Sequence, residues 1–153
     1  MNRSTQILRW LPAVLWMALI GCFSTDPFSG TWSETWLKSC AAWLRLPVTA
    51  HGLQIANLVL RKSAHLGEFF VLGVLLHRAL AGLRDKSGAV VFGWVVLAGA
   101  LYAVSSELLQ TFTVAREPSP LDTALNLAGV LCSQWTLGHI GIRPKPWPSP
   151  SPP

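Results

Sequence analysis

The sequence predicts an all-α membrane protein: about four transmembrane helices in a small bundle, with an interfacial segment after the first helix. Three observations predict it. Charged residues make up only 12% of the chain and hydrophobic residues 51%, whereas soluble domains are about a quarter charged. Several apolar runs approach the roughly 20 helical residues needed to cross a hydrocarbon core about 30 Å thick. Eight tryptophans complete the pattern, because indole favours the membrane–water interface. The net charge of +5 does not point to nucleic acid. A nucleic-acid binder gathers its basic residues on one hydrated face, but here Arg3/Arg9, Arg61/Lys62, Arg78/Arg84/Lys86 and Arg143/Lys145 flank apolar runs.

The first apolar run, Ile7–Phe23, is slightly short for a span, and Arg9 can snorkel to the headgroups. Ser24-Thr25-Asp26-Pro27 stops it sharply. The stretch from Thr31 to Leu60 holds Trp32, Trp36, Trp43 and Pro47 and is less apolar. It reads as interfacial, with one or two short amphipathic helices. Ala64–Leu83 is a second span, interrupted by His65, Glu68, His77 and Arg78, and Arg84–Gly88 is a polar turn. Ala89–Phe112 is uncharged until Glu107; Thr113–Pro120 is a tight loop; Leu121–Ile142 is the last span. Residues 1–142 thus form one transmembrane domain. The tail, Arg143–Pro153, has six prolines and no core-forming run, so it is expected to be disordered.

Cys22, Cys40 and Cys132 show no metal spacing, and an odd count cannot complete a disulfide framework; they are expected to act as small packing hydrophobes. Leu19-Ile20-Gly21-Cys22 also resembles a bacterial lipoprotein signal, so cleavage before Cys22 stands as an alternative to a retained first helix. Basic residues concentrate at the N-terminus, the turn after Leu83 and the tail. These fall on one side of an alternating four-helix topology, which the positive-inside rule makes cytoplasmic.

A charged group within the membrane costs roughly 2.5–3.5 kcal/mol on insertion scales and therefore usually has a partner or a task. Lys62, His65 and Glu68 form one helical stripe about 120° wide. Ser106, Glu107 and Gln110 share another, and Asp122, Asn126, Gly129 and Ser133 a third, which spans only about 60°. With alternating helices all three stripes fall in the outer half of the membrane, below a loop carrying Arg116 and Glu117. Each residue has a plain reading as well. Lys62 marks a helix end, His65 is a neutral core histidine, and Glu68 and Glu107 pair with Lys62 and Arg116. Asp122 favours a helix N-terminus, and Gln110 and Asn126 bridge helices. Gly129, with Gly93, Gly99 and Ala103, permits close helix approach, and His77 and Arg78 read as a solvated end. The His/Glu/Asp spacing is too generic to assign a metal, and the sequence names no cofactor.

Arg61-Lys62-Ser63-Ala64-His65-Leu66-Gly67-Glu68-Phe69-Phe70 resembles the K-x-x-H-x-x-E-[YF] signature of the VanZ-like family. Ser106-Glu107-Leu108-Leu109-Gln110, then Arg116, Asp122, Asn126 and Gly129, resembles its D-E-x-x-Q…R…D-x-x-x-N-x-x-G signature. Leu15–Ile20 with Ser24 is similar to its first helix, and the resemblance covers about residues 10 to 140. Ser106 departs from the pattern, standing where an acid is common, so a role needing two adjacent carboxylates does not carry over. The resemblance implies a four-helix protein of the bacterial plasma membrane, from a family whose named member is associated with low-level teicoplanin resistance.

These residues support an outer-face site that acts on or binds a lipid headgroup or a lipid-linked envelope precursor. His65, Glu68, Glu107 and Asp122 are the candidate acids and bases. Lys62, Gln110, Arg116 and Asn126 are the candidate substrate contacts, Arg116 by a bidentate fork to phosphate. A non-catalytic accessory or antibiotic-tolerance factor needs the same binding groups without proton transfer. A small transporter or flippase is the third possibility, although no inverted repeat is visible. The expected partner is a membrane lipid or lipid-linked precursor, with no nucleic acid; oligomeric state is not legible.

Overall fold

The computed structural model describes residues 3–24, 30–81, 87–111 and 119–141. Those residues form α1 (Arg3–Phe23), α2 (Gly30–Trp43), α3 (Ala50–Leu80), α4 (Gly88–Gln110) and α5 (Pro120–Ile140), with no strand among them. The expected disordered tail and the Arg116–Glu117 loop lie outside the described residues.

The segment expected to be an interfacial loop with short helices is instead a helical hairpin. Its first arm, α2, closes with Leu46 N–H on Ala41 O (2.9 Å) and Arg45 N–H on Ala42 O (3.1 Å). This pair of bonds, with Arg45 left-handed at φ 53°, is a Schellman turn. A non-glycine residue there costs about 1–2 kcal/mol, and Pro47 directly after it blocks further helix. Thr49 then caps α3, its hydroxyl accepting from Gly52 N–H at 3.1 Å. Hence α3 begins at Ala50 and not at Ala64. At 1.5 Å per residue its 31 residues span roughly 46 Å, well beyond a bilayer core. Ser33 on α2 donates to the Asn57 side chain (2.6 Å), fastening the hairpin.

α4 starts at Ser87, whose hydroxyl accepts from Val90 N–H. α5 starts with Pro120 at its first turn and ends at Gly141 in the left-handed region, φ 62°. That proline-in, glycine-out pattern suits the free N–H groups at one end and the reversal at the other.

α3 and α5 run parallel, with α4 antiparallel to both. The α3–α5 approach is the tightest in the molecule's core. A Cβ on Gly129 would lie 2.4 Å from Leu66 O and 3.0 Å from Phe70 N, and one on Gly73 would meet the Ser133 hydroxyl. Helices packed in a membrane have no water to expel and gain from such small-residue contacts through dispersion. Gly99 likewise faces Val130, but Gly93 opens away from any neighbour, so it does not serve close approach as expected. The buried apolar core joins Phe69, Leu72 and Leu76 of α3 to Val91, Val95 and Ala103 of α4, Val130 of α5, and Ala13 and Ile20 of α1. α1 docks through polar groups too: the Trp16 indole donates to Glu68 O (2.9 Å), and the Tyr102 hydroxyl donates to Met17 O.

The outer surface is apolar. Leu15, Trp94, Leu101, Leu108, Leu121 and Trp135 are all exposed, as expected of faces turned to lipid. Gln6–Phe23 and Gly88–Gln110 are the two helices among the described residues long and apolar enough to cross a membrane. They are mostly unburied within the protein, unlike the core helix of a soluble fold. α3 and α5, which carry the polar stripes, fall below that measure. Cys22 and Cys132 are also exposed, not buried in the core as expected, and none of the three cysteines forms a disulfide among the described residues.

Candidate functional site

The cluster forms where three helices reach the same level: the middle of α3, the last turn of α4 and the first turn of α5. Lys62 and His65 stand one turn apart on α3, so they share a face. Glu107 and Gln110 do the same on α4, and Asp122 and Asn126 on α5. The antiparallel α4 brings its C-terminal end beside the N-terminal end of α5, and the close α3–α5 approach brings Lys62 to Asp122.

Lys62 Nζ donates to Asp122 Oδ1 in an ion pair, the amine partly exposed and the carboxylate nearly buried. Asp122 therefore does more than favour the helix terminus. Glu107 is buried; its Oε2 accepts from Ser119 N–H at 3.1 Å, and its Oε1 faces Gln110 Nε2 at 3.5 Å. Ser119 is the N-cap of α5 without a side-chain cap bond, so its backbone ties the start of α5 to the end of α4. One nitrogen of His65, one oxygen of Glu107 and one oxygen of Asp122 all lie within 4.8 Å of one another.

Asn126 is fully buried, and among the described residues neither its amide oxygen nor its amide nitrogen has a hydrogen-bond partner. Each such orphan costs about 1–3 kcal/mol. This buried amide, one turn along the same face from Asp122, can take further polar partners at both ends.

Of the candidate site residues, Lys62, His65, Glu107, Gln110 and Asp122 converge, and Asn126 lies adjacent. Glu68 is half-buried one turn beyond His65 on α3, and its backbone carbonyl receives the α1 indole. Lys62, expected as a partner of Glu68, pairs with Asp122. Arg116 lies outside the described residues.

The sequence reading missed a second polar contact at the other end of the α3–α5 pair. Gln134 Nε2 donates to Gly73 O (3.2 Å), and Gln134 Oε1 meets His77 Nδ1 at 2.8 Å. His77 is thus a helix-bridging residue and not merely a solvated end. Asn126, Val130 and Gln134 recur at i+4, which places Gln134 on the buried face; that spacing was the available signal.

No curated protein and no solved structure matches the chain. The model of the family described as VanZ/LLP1 matches residues 9–138, a range that holds every residue of the cluster and nearly all of the five helices. With most of the sequence so matched, and with two helices apolar enough to cross a membrane, the chain belongs to the VanZ/LLP1 family of membrane proteins.

Proposed function

We propose that the chain crosses the plasma membrane four times, through α1, the apolar part of α3, α4 and α5, with both termini cytoplasmic. Its polar cluster then recognises the phosphate-bearing headgroup of a membrane lipid or lipid-linked envelope precursor at the outer leaflet. The observation that carries this reading is the level of the cluster. It sits at the last turn of α4 and the first turn of α5, where helices end and headgroups begin, while apolar side chains cover the outside. Lys62 supplies positive charge for phosphate, and Arg116, between α4 and α5 in the sequence, is the second basic residue proposed for that role. Asn126 and Gln110 orient the polar group, and His65, Glu107 and Asp122 offer donors and acceptors in a low-dielectric setting where proton transfer is efficient.

Lipids retained by the purified protein, measured by native mass spectrometry, test the reading. A phosphate-bearing lipid retained by the parent and lost from Arg116→Ala is expected. Retention of the same lipids at the same level by Lys62→Ala and Arg116→Ala together would sink it. Glu107→Gln separates chemistry from binding. If function survives that change but not Arg116→Ala, the cluster binds without transferring a proton. The satisfied Glu107 carboxylate, held by Ser119 N–H, is the feature favouring that second reading.

A further inference from the structure

We propose that His65, Glu107 and Asp122 bind a divalent transition-metal ion, zinc or one of similar ligand preference. This goes beyond headgroup recognition and does not depend on it.

The donor set is one imidazole nitrogen and two carboxylate oxygens, a combination that suits zinc, manganese and iron and leaves a coordination position open. The three come from three different helices and are all largely buried, unlike an acidic surface patch. Bonds of about 2.1 Å in tetrahedral array put neighbouring donors about 3.4 Å apart. Donors already within 4.8 Å reach that spacing by small side-chain rotations, with no helix displaced.

The surroundings are those of a metal site as well. Metal-bound carboxylates are usually held on their second oxygen by a neighbour. Here Lys62 holds Asp122 Oδ1, and Ser119 N–H and the Gln110 amide hold the Glu107 carboxylate. The independent observation is Asn126. Its buried amide has neither oxygen nor nitrogen satisfied, on the α5 face of Asp122 and one turn deeper. The amide oxygen gains a partner as a fourth ligand, or by accepting from a water on the ion. In either case the ligand that the orphaned amide lacks is one the other three residues also fit.

The test uses the full chain without a polyhistidine tag, in nanodiscs, stripped with chelator, exposed to Zn²⁺ and desalted. Elemental analysis is expected to find about one zinc per chain, bound through a single nitrogen and two or three oxygens at about 2.0–2.2 Å by X-ray absorption. His65→Ala and Glu107→Gln are expected to weaken retention roughly a hundredfold, and Asn126→Leu roughly tenfold or more. His139→Ala, at an exposed position near the end of α5, should leave it unchanged. A parent chain that retains no zinc overturns the proposal, as does full retention by His65→Ala. If the variants do not fold, the parent's absorption spectrum decides: a shell with sulfur or several imidazoles overturns the assignment. None of these measurements reads lipid retention, so failure here leaves the headgroup reading standing, and failure of that reading leaves this one.

Discussion

Replacing Gly129 by alanine adds one methyl group to a helix face and touches no polar residue. A Cβ at that position lies 2.4 Å from Leu66 O, 3.0 Å from Phe70 N and 3.1 Å from Phe69 Cβ. Two of these three are backbone atoms of α3, which no rotamer change can move. Restoring an ordinary carbon–oxygen contact of about 3.2 Å requires α5 to retreat from α3 by roughly 0.8 Å, and a gap of that size forfeits a quarter to a half of each dispersion well it opens. Overpacking of this kind costs about 1–3 kcal/mol, offset in part by the better helix propensity of alanine, worth up to about 1 kcal/mol. With the full offset the net loss is about 0–2 kcal/mol, which for a chain of this size lowers the melting temperature by up to roughly 4–8 °C. The control is Gly67→Ala, the same chemical change on α3 where nothing lies within 4 Å. It carries the propensity gain alone. The assay is fluorescence-detected melting of both variants and the parent in one detergent. If Gly129→Ala melts within about a degree of Gly67→Ala, the helices do not meet at Gly129 and the construction of the site from that contact is refuted.

Three further outcomes are expected. Lys62→Met and Asp122→Asn should each lower stability, and the double variant should lose less than their sum by about 1–3 kcal/mol, because each single change strands the other's charge; additive melting shifts would show the pair is not formed. Asn126→Leu should melt at or above the parent in the absence of metal and lipid, since an orphaned amide gives way to an apolar group of similar size; a fall of several degrees would mean the amide is already satisfied. In a background lacking Cys22, Cys40 and Cys132, Thr113→Cys should react with an impermeant thiol reagent from outside the cell and Ser87→Cys should not; the reverse pattern would invert the membrane orientation.

The stripes at Lys62/His65, Glu107/Gln110 and Asp122/Asn126 were legible because a helix places residues three and four apart on one face, and because polar groups are scarce in apolar runs. Their convergence followed from alternating helices. The contact of α1 with the Glu68 carbonyl was not legible, because spacing defines the edge of a stripe but not which neighbouring helix that edge meets. The start of α3 was hidden by Pro47, which reads as loop, whereas the Thr49 cap restarts the helix two residues later. His77 and Gln134 sit 57 residues apart, and only the parallel course of α3 and α5 makes them neighbours. No local pattern encodes that course.

The α3–α5 pair is keyed at both ends, by Lys62 with Asp122 and by Gln134 with His77 and the Gly73 carbonyl. Sliding one helix past the other by a turn, about 5.4 Å, would break both fastenings at once and drive a side chain into Gly129. Register is therefore an all-or-none property of the pair, set by the helices themselves. Insertions between α4 and α5 are therefore expected to recharge the approach to the cluster while the α3–α5 register stays put. In this design the polar cluster is inherited from the helix pair, and the connection between α4 and α5 is the place where its surroundings can vary.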